Sequence, residues 1–124
     1  MPGILLVEDD DRLRSMLKLL LTTAGYEVWE ARDGMGVGDL YGHHHPDLVI
    51  TDLLMPNRDG LEVIMDLRRG DPKVRIIAIS GGGHGRAESY LEIAQNLGAQ
   101  WILSKPFSNT GFLEAVRLAV EAEK

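Results

Sequence analysis

Asp47-Leu48-Val49-Ile50-Thr51-Asp52 is one of the most apolar short runs of the chain, and it stops on a carboxylate. A run of Leu, Val and Ile without polar alternation is the mark of a strand covered on both faces. Ile4-Leu5-Leu6-Val7 is a second such run and leads into Glu8-Asp9-Asp10. A third, Val74 to Ile79, stops at Ser80, and a fourth, Trp101-Ile102-Leu103, leads to Lys105. Acids at the ends of buried strands carry a desolvation cost, so their presence there asks for a chemical reason.

Segments of helical period separate these runs, which reads as repeated βα units and a parallel sheet. The spacing predicts strands at roughly 4–7, 26–31, 48–52, 75–80 and 101–104. Tyr26-Glu27-Val28-Trp29-Glu30-Ala31 alternates apolar and polar, as an edge strand does. Helix 1 carries Leu13, Met16, Leu17, Leu20, Leu21 and Ala24 at three- and four-residue spacing, capped by Asp10 or Asp11 and stopped by Gly25. Helix 2 is expected at about 34–43, weakened by Gly34, Gly36, Gly38 and Gly42. Helices 3, 4 and 5 are expected at about 59–69, 85–97 and 109–122, the last capped by Ser108. The expectation is one α/β domain over residues 1–124. It is a doubly wound, five-stranded parallel sheet of order 2-1-3-4-5 with five helices, a three-layer sandwich. In such sheets, ligands sit beyond the carboxyl ends of the strands where the winding reverses, here between strands 1 and 3.

The bulk numbers fit one domain: 124 residues, 44% hydrophobic. With 13 Lys and Arg against 19 Asp and Glu, the net charge of −6 disfavours direct nucleic-acid binding. The apolar runs are too short to cross a bilayer, and no signal peptide is evident. The absence of cysteine removes disulfides and thiolate metal sites and fits a cytoplasmic protein.

The predicted crevice gathers Glu8, Asp9 and Asp52, with Ser80 and Lys105 at its flank. Clustered carboxylates repel one another, and a hard divalent cation such as Mg²⁺ relieves that repulsion. Magnesium sites of this kind are often completed by phosphate oxygens. Asp52 then reads as a nucleophile for a phosphoryl group. Mg²⁺ on Asp9, Asp52 and a nearby backbone carbonyl would balance charge on one side. Lys105, Ser80 and a backbone N–H from residue 53 or 54 would meet the remaining oxygens.

At this point the chain resembles the response-regulator receiver domain, the CheY-like family. The matching elements are Val7-Glu8-Asp9-Asp10, Asp52-Leu53-Leu54-Met55-Pro56, Asp59-Gly60, Ile79-Ser80-Gly81, Gly98-Ala99 and Lys105-Pro106-Phe107. They span nearly the whole chain in order. The resemblance implies a flavodoxin/CheY-like fold. It further implies that Asp52 accepts phosphate from a sensor histidine kinase or histidine phosphotransfer protein, in a Mg²⁺-dependent step, and signals to a downstream effector. It implies that Asp9 binds Mg²⁺ directly, Glu8 chiefly through water, and Leu54 by its carbonyl. Lys105 and Ser80 would read the phosphate, and the Lys105–Pro106 bond would be cis. Such a domain is a phosphoacceptor that assists its own chemistry, not an enzyme acting on a separate substrate.

Two departures stand out. Relatives often carry Tyr or Phe where this chain has Ile102, and its aromatic residue is Trp101, on the other strand face. Switching is therefore expected to pass from Ser80 through Gly81-Gly82-Gly83 to helix 4, with the output surface on helix 4, strand 5 and helix 5. Gln95, Gln100, Trp101 and Ser104 are candidate members of that surface. Leu54 and Gly82 lie where relatives tune access of the hydrolytic water, and Leu54 is expected to shield the acyl phosphate.

Blander readings exist. Asp10 serves best as a helix cap. His43-His44-His45 reads as a solvated loop, because adjacent side chains diverge and seldom close one metal site. Two rival functions share part of this residue set. A phosphohydrolase of the haloacid-dehalogenase type would normally carry a second Asp two residues after the nucleophile, where Leu54 stands. A non-phosphorylated receiver-like binding module would usually have lost one of the key residues.

Overall fold

A computed structural model describes residues 1–53, 60–80 and 86–122, with side chains of 86–91 left aside. Leu54, Gly81 and Gly82, and with them the predicted switch loop, lie outside the described residues. The order is β1 (Gly3–Val7), α1 (Asp11–Thr23), β2 (Glu27–Ala31), α2 (Val37–His44), β3 (Leu48–Asp52), α3 (Gly60–Gly70), β4 (Ile76–Ser80), α4 (Arg86–Leu97), β5 (Trp101–Ser104) and α5 (Asn109–Glu121). The sheet runs β2-β1-β3-β4-β5, and its pairings are parallel. This is the expected order.

Every residue of β1, β3 and β4 is buried, as continuous apolar strands between two helical layers must be. Alternation sends Leu5 and Val7 to one face, where they pack with Val63, Ile64 and Leu67 of α3. Ile4 and Leu6 go to the other, against Leu17 and Leu21 of α1 and Phe112 and Val116 of α5. Edge strand β2 is mostly half-exposed, which its alternating sequence anticipated.

Asp10 caps α1, accepting from the N–H groups of Arg12 and Leu13. Ser108 caps α5 through Gly111. Only part of the predicted apolar stripe of α1 is buried. Leu17 and Leu21 are, whereas Met16 is 43% exposed and Ala24 is exposed. The stripe is wider than the strip of helix that the sheet and α5 cover.

Helix α2 starts three residues later than expected and ends a residue further on, taking in His43 and His44. His44 stacks on Trp29 at 4.4 Å, and His45 closes the helix with φ 50°. The three histidines thus form a helix end rather than a loop, and they assemble no metal cluster among the described residues. A cavity of about 460 Å³ lies between α2 and α3, lined in part by Tyr41, Leu67, Gly38 and Gly42. A Cβ on Gly42 would meet nothing within 4 Å. Gly42→Ala is therefore expected to stabilise the fold by about 0.5–1 kcal/mol through helix entropy alone. Urea unfolding would read this as a higher midpoint at constant slope.

Candidate functional site

All five strands point the same way, so their carboxyl ends share one rim. Backbone bonds carry the ladder just past the strand ends. Glu8 N–H donates to the Ala31 carbonyl (3.0 Å), Leu53 N–H to Ile79 (2.9 Å) and Lys105 N–H to Ser80 (2.8 Å). Glu8, Asp52, Ser80 and Lys105 are thereby held by the sheet itself, which makes their geometry more precise than a free loop would.

Glu8, Asp9 and Asp52 meet as the topology required. One carboxylate oxygen from each lies within 4.8 Å of the others, with Asp9 the least buried. Lys105 Nζ reaches in from the far strand, 3.1 Å from Asp52 Oδ2 and 3.4 Å from Glu8 Oε1. Burial works against the Lys105 ammonium, but the charges and hydrogen bonds of Asp52 and Glu8 outweigh it and hold its pKa above the lysine norm. Burial, then the charge of Asp52, pushes the Glu8 carboxyl up to about 8, against an opposing hydrogen bond from the Asp10 N–H. Among the described residues one ammonium faces three carboxylates, and the all-oxygen donor set suits a hard cation such as Mg²⁺.

Ser80 Oγ is fully buried and meets no hydrogen-bond partner among the described residues. A hydroxyl in that condition suits an incoming acceptor such as a phosphoryl oxygen. The Lys105–Pro106 bond is cis, as the resemblance implied. Ile102 pairs with Ala78, while Trp101 and Leu103 pack on the α1–α5 side, so the aromatic ring does lie on the opposite face.

Two roles are not legible in the sequence. Gln100, a candidate member of the output surface, also spends its amide on the sheet: it accepts from the Ile76 N–H and donates to the Val74 carbonyl. Arg14 donates to the Glu8 carbonyl at 2.9 Å. In sequence, both look like solvated polar residues, and only their distant partners distinguish them.

The raised Glu8 pKa sets a pH dependence for the metal-free chain. The unfolded chain loses this proton near the ordinary 4.5, whereas the folded chain keeps it to about 8. The unfolded state therefore binds fewer protons across that window, and stability falls as pH rises through it. Thermal melts in chelator from about pH 5 to pH 8.5 are expected to show the fall, and excess Mg²⁺ to reduce it.

The family profile of the response regulator receiver domain matches residues 4–117. The chemotaxis protein CheY of Bacillus subtilis is 36% identical over 114 residues, covering 91% of this chain and 92% of that protein. The transcriptional regulatory protein PdtaR of Mycobacterium tuberculosis is 38% identical over 120 residues, which cover 94% of this chain but 56% of PdtaR. The receiver domain of NtrX from Brucella abortus superimposes with a TM-score of 0.89 at 25% identity, covering 97% of this chain and 99% of that one. The chain belongs to the response regulator receiver domain family, the receiving side of two-component signalling. Members of this class are generally not classical enzymes, and the phosphohydrolase and non-phosphorylated module are not favoured. No helix among the described residues is long and apolar enough to cross a membrane.

Proposed function

We propose that residues 1–124 form one cytoplasmic receiver domain in which Asp52 accepts a phosphoryl group from a sensor histidine kinase or histidine phosphotransfer protein. The observation that carries this reading is the meeting, at one rim, of a buried Asp52, an ammonium 3.1 Å away and a buried serine hydroxyl with no partner among the described residues. Asp52 attacks phosphorus in line, the bond from phosphorus to the donor breaks, and the leaving group departs with its electron pair. Asp9, Asp52 and the Leu54 carbonyl would hold Mg²⁺, with Glu8 acting chiefly through water. Bound there, the ion supplies charge neutralisation at the phosphoryl oxygens. Lys105 exchanges part of its ion pair with Asp52 for a phosphoryl oxygen, and Ser80 donates to another. These contacts differ between the free and modified states, so they bias a conformational equilibrium and alter the surface that an effector reads. That surface is assigned to α4, β5 and α5, with Gly81, Gly82, Trp101 and Ile102 on the route.

Acetyl phosphate with Mg²⁺ is expected to add one phosphoryl group per chain by intact mass, and chelator to prevent it. No mass gain under conditions that label another receiver would overturn the reading. Sustained turnover of an aryl phosphate would favour the phosphohydrolase instead.

A further inference from the structure

Arg14 lies in the first turns of α1, yet only 12% of its side chain is exposed. A guanidinium goes that deep when its N–H groups are matched, and here three residues match them. Nη1 donates to the Glu8 carbonyl at 2.9 Å, Nη2 to Asp11 Oδ1 at 2.6 Å, and Nε faces Glu30 Oε1 of β2 at 3.5 Å. Lys18 also holds Glu30, at 3.2 Å. The Glu8 carbonyl is the first beyond β1, and its peptide plane carries the Asp9 N–H. On its other side, Glu8 is tied by its own N–H to Ala31 and by Oε2 to the Asp10 N–H. Arg14 thus completes the anchoring of the one peptide whose orientation aims Asp9 into the crevice.

We propose that Arg14 is a positioning residue for the divalent cation: it holds the Glu8–Asp9 peptide so that the Asp9 carboxylate is set before the ion arrives, and Asp11 and Glu30 hold Arg14 in turn. This rests on the reading of the crevice as a Mg²⁺ site. Supports one step removed from a metal ligand commonly govern affinity by orienting the ligand. The planar fork matters, because a lysine ammonium does not reproduce the fixed geometry with which a guanidinium serves several acceptors. Charge alone makes the opposite prediction. Removing a cation beside an acidic crevice would tighten Mg²⁺ binding by Coulomb's law.

The test is calorimetric titration of the full chain with MgCl₂, for wild type, Arg14→Met, Arg14→Lys and Glu30→Gln. Arg14→Met is expected to weaken Mg²⁺ binding about tenfold, with Arg14→Lys and Glu30→Gln weakening it about threefold. Acetyl phosphate labelling at saturating Mg²⁺ is expected to stay within about twofold of wild type. Unchanged or tighter Mg²⁺ binding by a folded Arg14→Met overturns the proposal. If that variant does not fold, unchanged binding by Arg14→Lys and Glu30→Gln overturns it. A wild type that binds Mg²⁺ but takes no phosphoryl group removes the proposed function and leaves the calorimetry to decide on Arg14. A wild type that binds no Mg²⁺ overturns both.

Discussion

Asp52→Asn is expected to take up no detectable phosphoryl group from acetyl phosphate, a loss on the order of 10³-fold or more, since the amide offers no anionic nucleophile. The same variant is expected to be more stable than wild type in chelator at about pH 8. The reason lies in the crevice. Glu8 and Asp52 are both buried, and the charge of Asp52 is second only to burial in pushing the Glu8 carboxyl up. Taking one charge away removes the repulsion and leaves Lys105, 3.4 Å from Glu8, to serve a single carboxylate. Coupling between groups in direct contact is about 0.5–3 kcal/mol, and a gain in that range is expected. At about pH 5 Glu8 is protonated in the folded wild type, so the gain should shrink there. Labelling followed by intact mass, and unfolding at the two pH values, check the two halves separately. A variant that loses labelling and also loses stability at about pH 8 would contradict the electrostatic account.

Gly60→Ala is expected to destabilise the fold by about 3 kcal/mol or more, at the upper end of what overpacking costs. Gly60 opens α3, is buried, and its N–H donates to the Leu53 carbonyl at 3.0 Å. A Cβ placed there would stand 2.6 Å from the Leu53 Cα and closer still to the Asp52 carbonyl oxygen. These are backbone atoms of the strand end that carries Asp52, the proposed phosphoacceptor, so no side chain can turn aside to make room. Either α3 moves off the sheet or the Asp52–Leu53 peptide shifts. The second course would misplace the Asp52 carboxylate relative to Lys105, and a displacement of about 1 Å can cost about 10²-fold in rate. Gly60→Ala is therefore expected to slow labelling as well as lower the urea midpoint. Gly42→Ala is the paired control, since its added methyl enters open space.

Much of the fold was legible because its signals are local. Continuous apolar runs marked β1, β3 and β4, and alternation marked β2 as an edge. Helix boundaries followed caps wherever a cap was present, as at Asp10 and Ser108. Helix α2 was placed less well because Gly36 begins it at φ 80° without a side-chain cap, so no residue advertised its start. The crevice was legible because each of its groups ends a strand, and parallel strands send all their ends to one side.

What the residues determined by themselves was therefore the element order, the strand order and the set of groups at the rim. Periods of 2 and 3.6 and a parallel connection rule are properties of short stretches of chain. Tertiary structure alone decided which polar groups are matched and by whom. Arg14 finds the Glu8 carbonyl and Glu30, Gln100 finds the edge of β4, Gly60 finds the backbone of Asp52 and Leu53, and Ser80 finds no partner among the described residues. A hydrogen bond or a steric contact depends on distances of a few tenths of an ångström between residues far apart in the chain, and no local pattern encodes those distances.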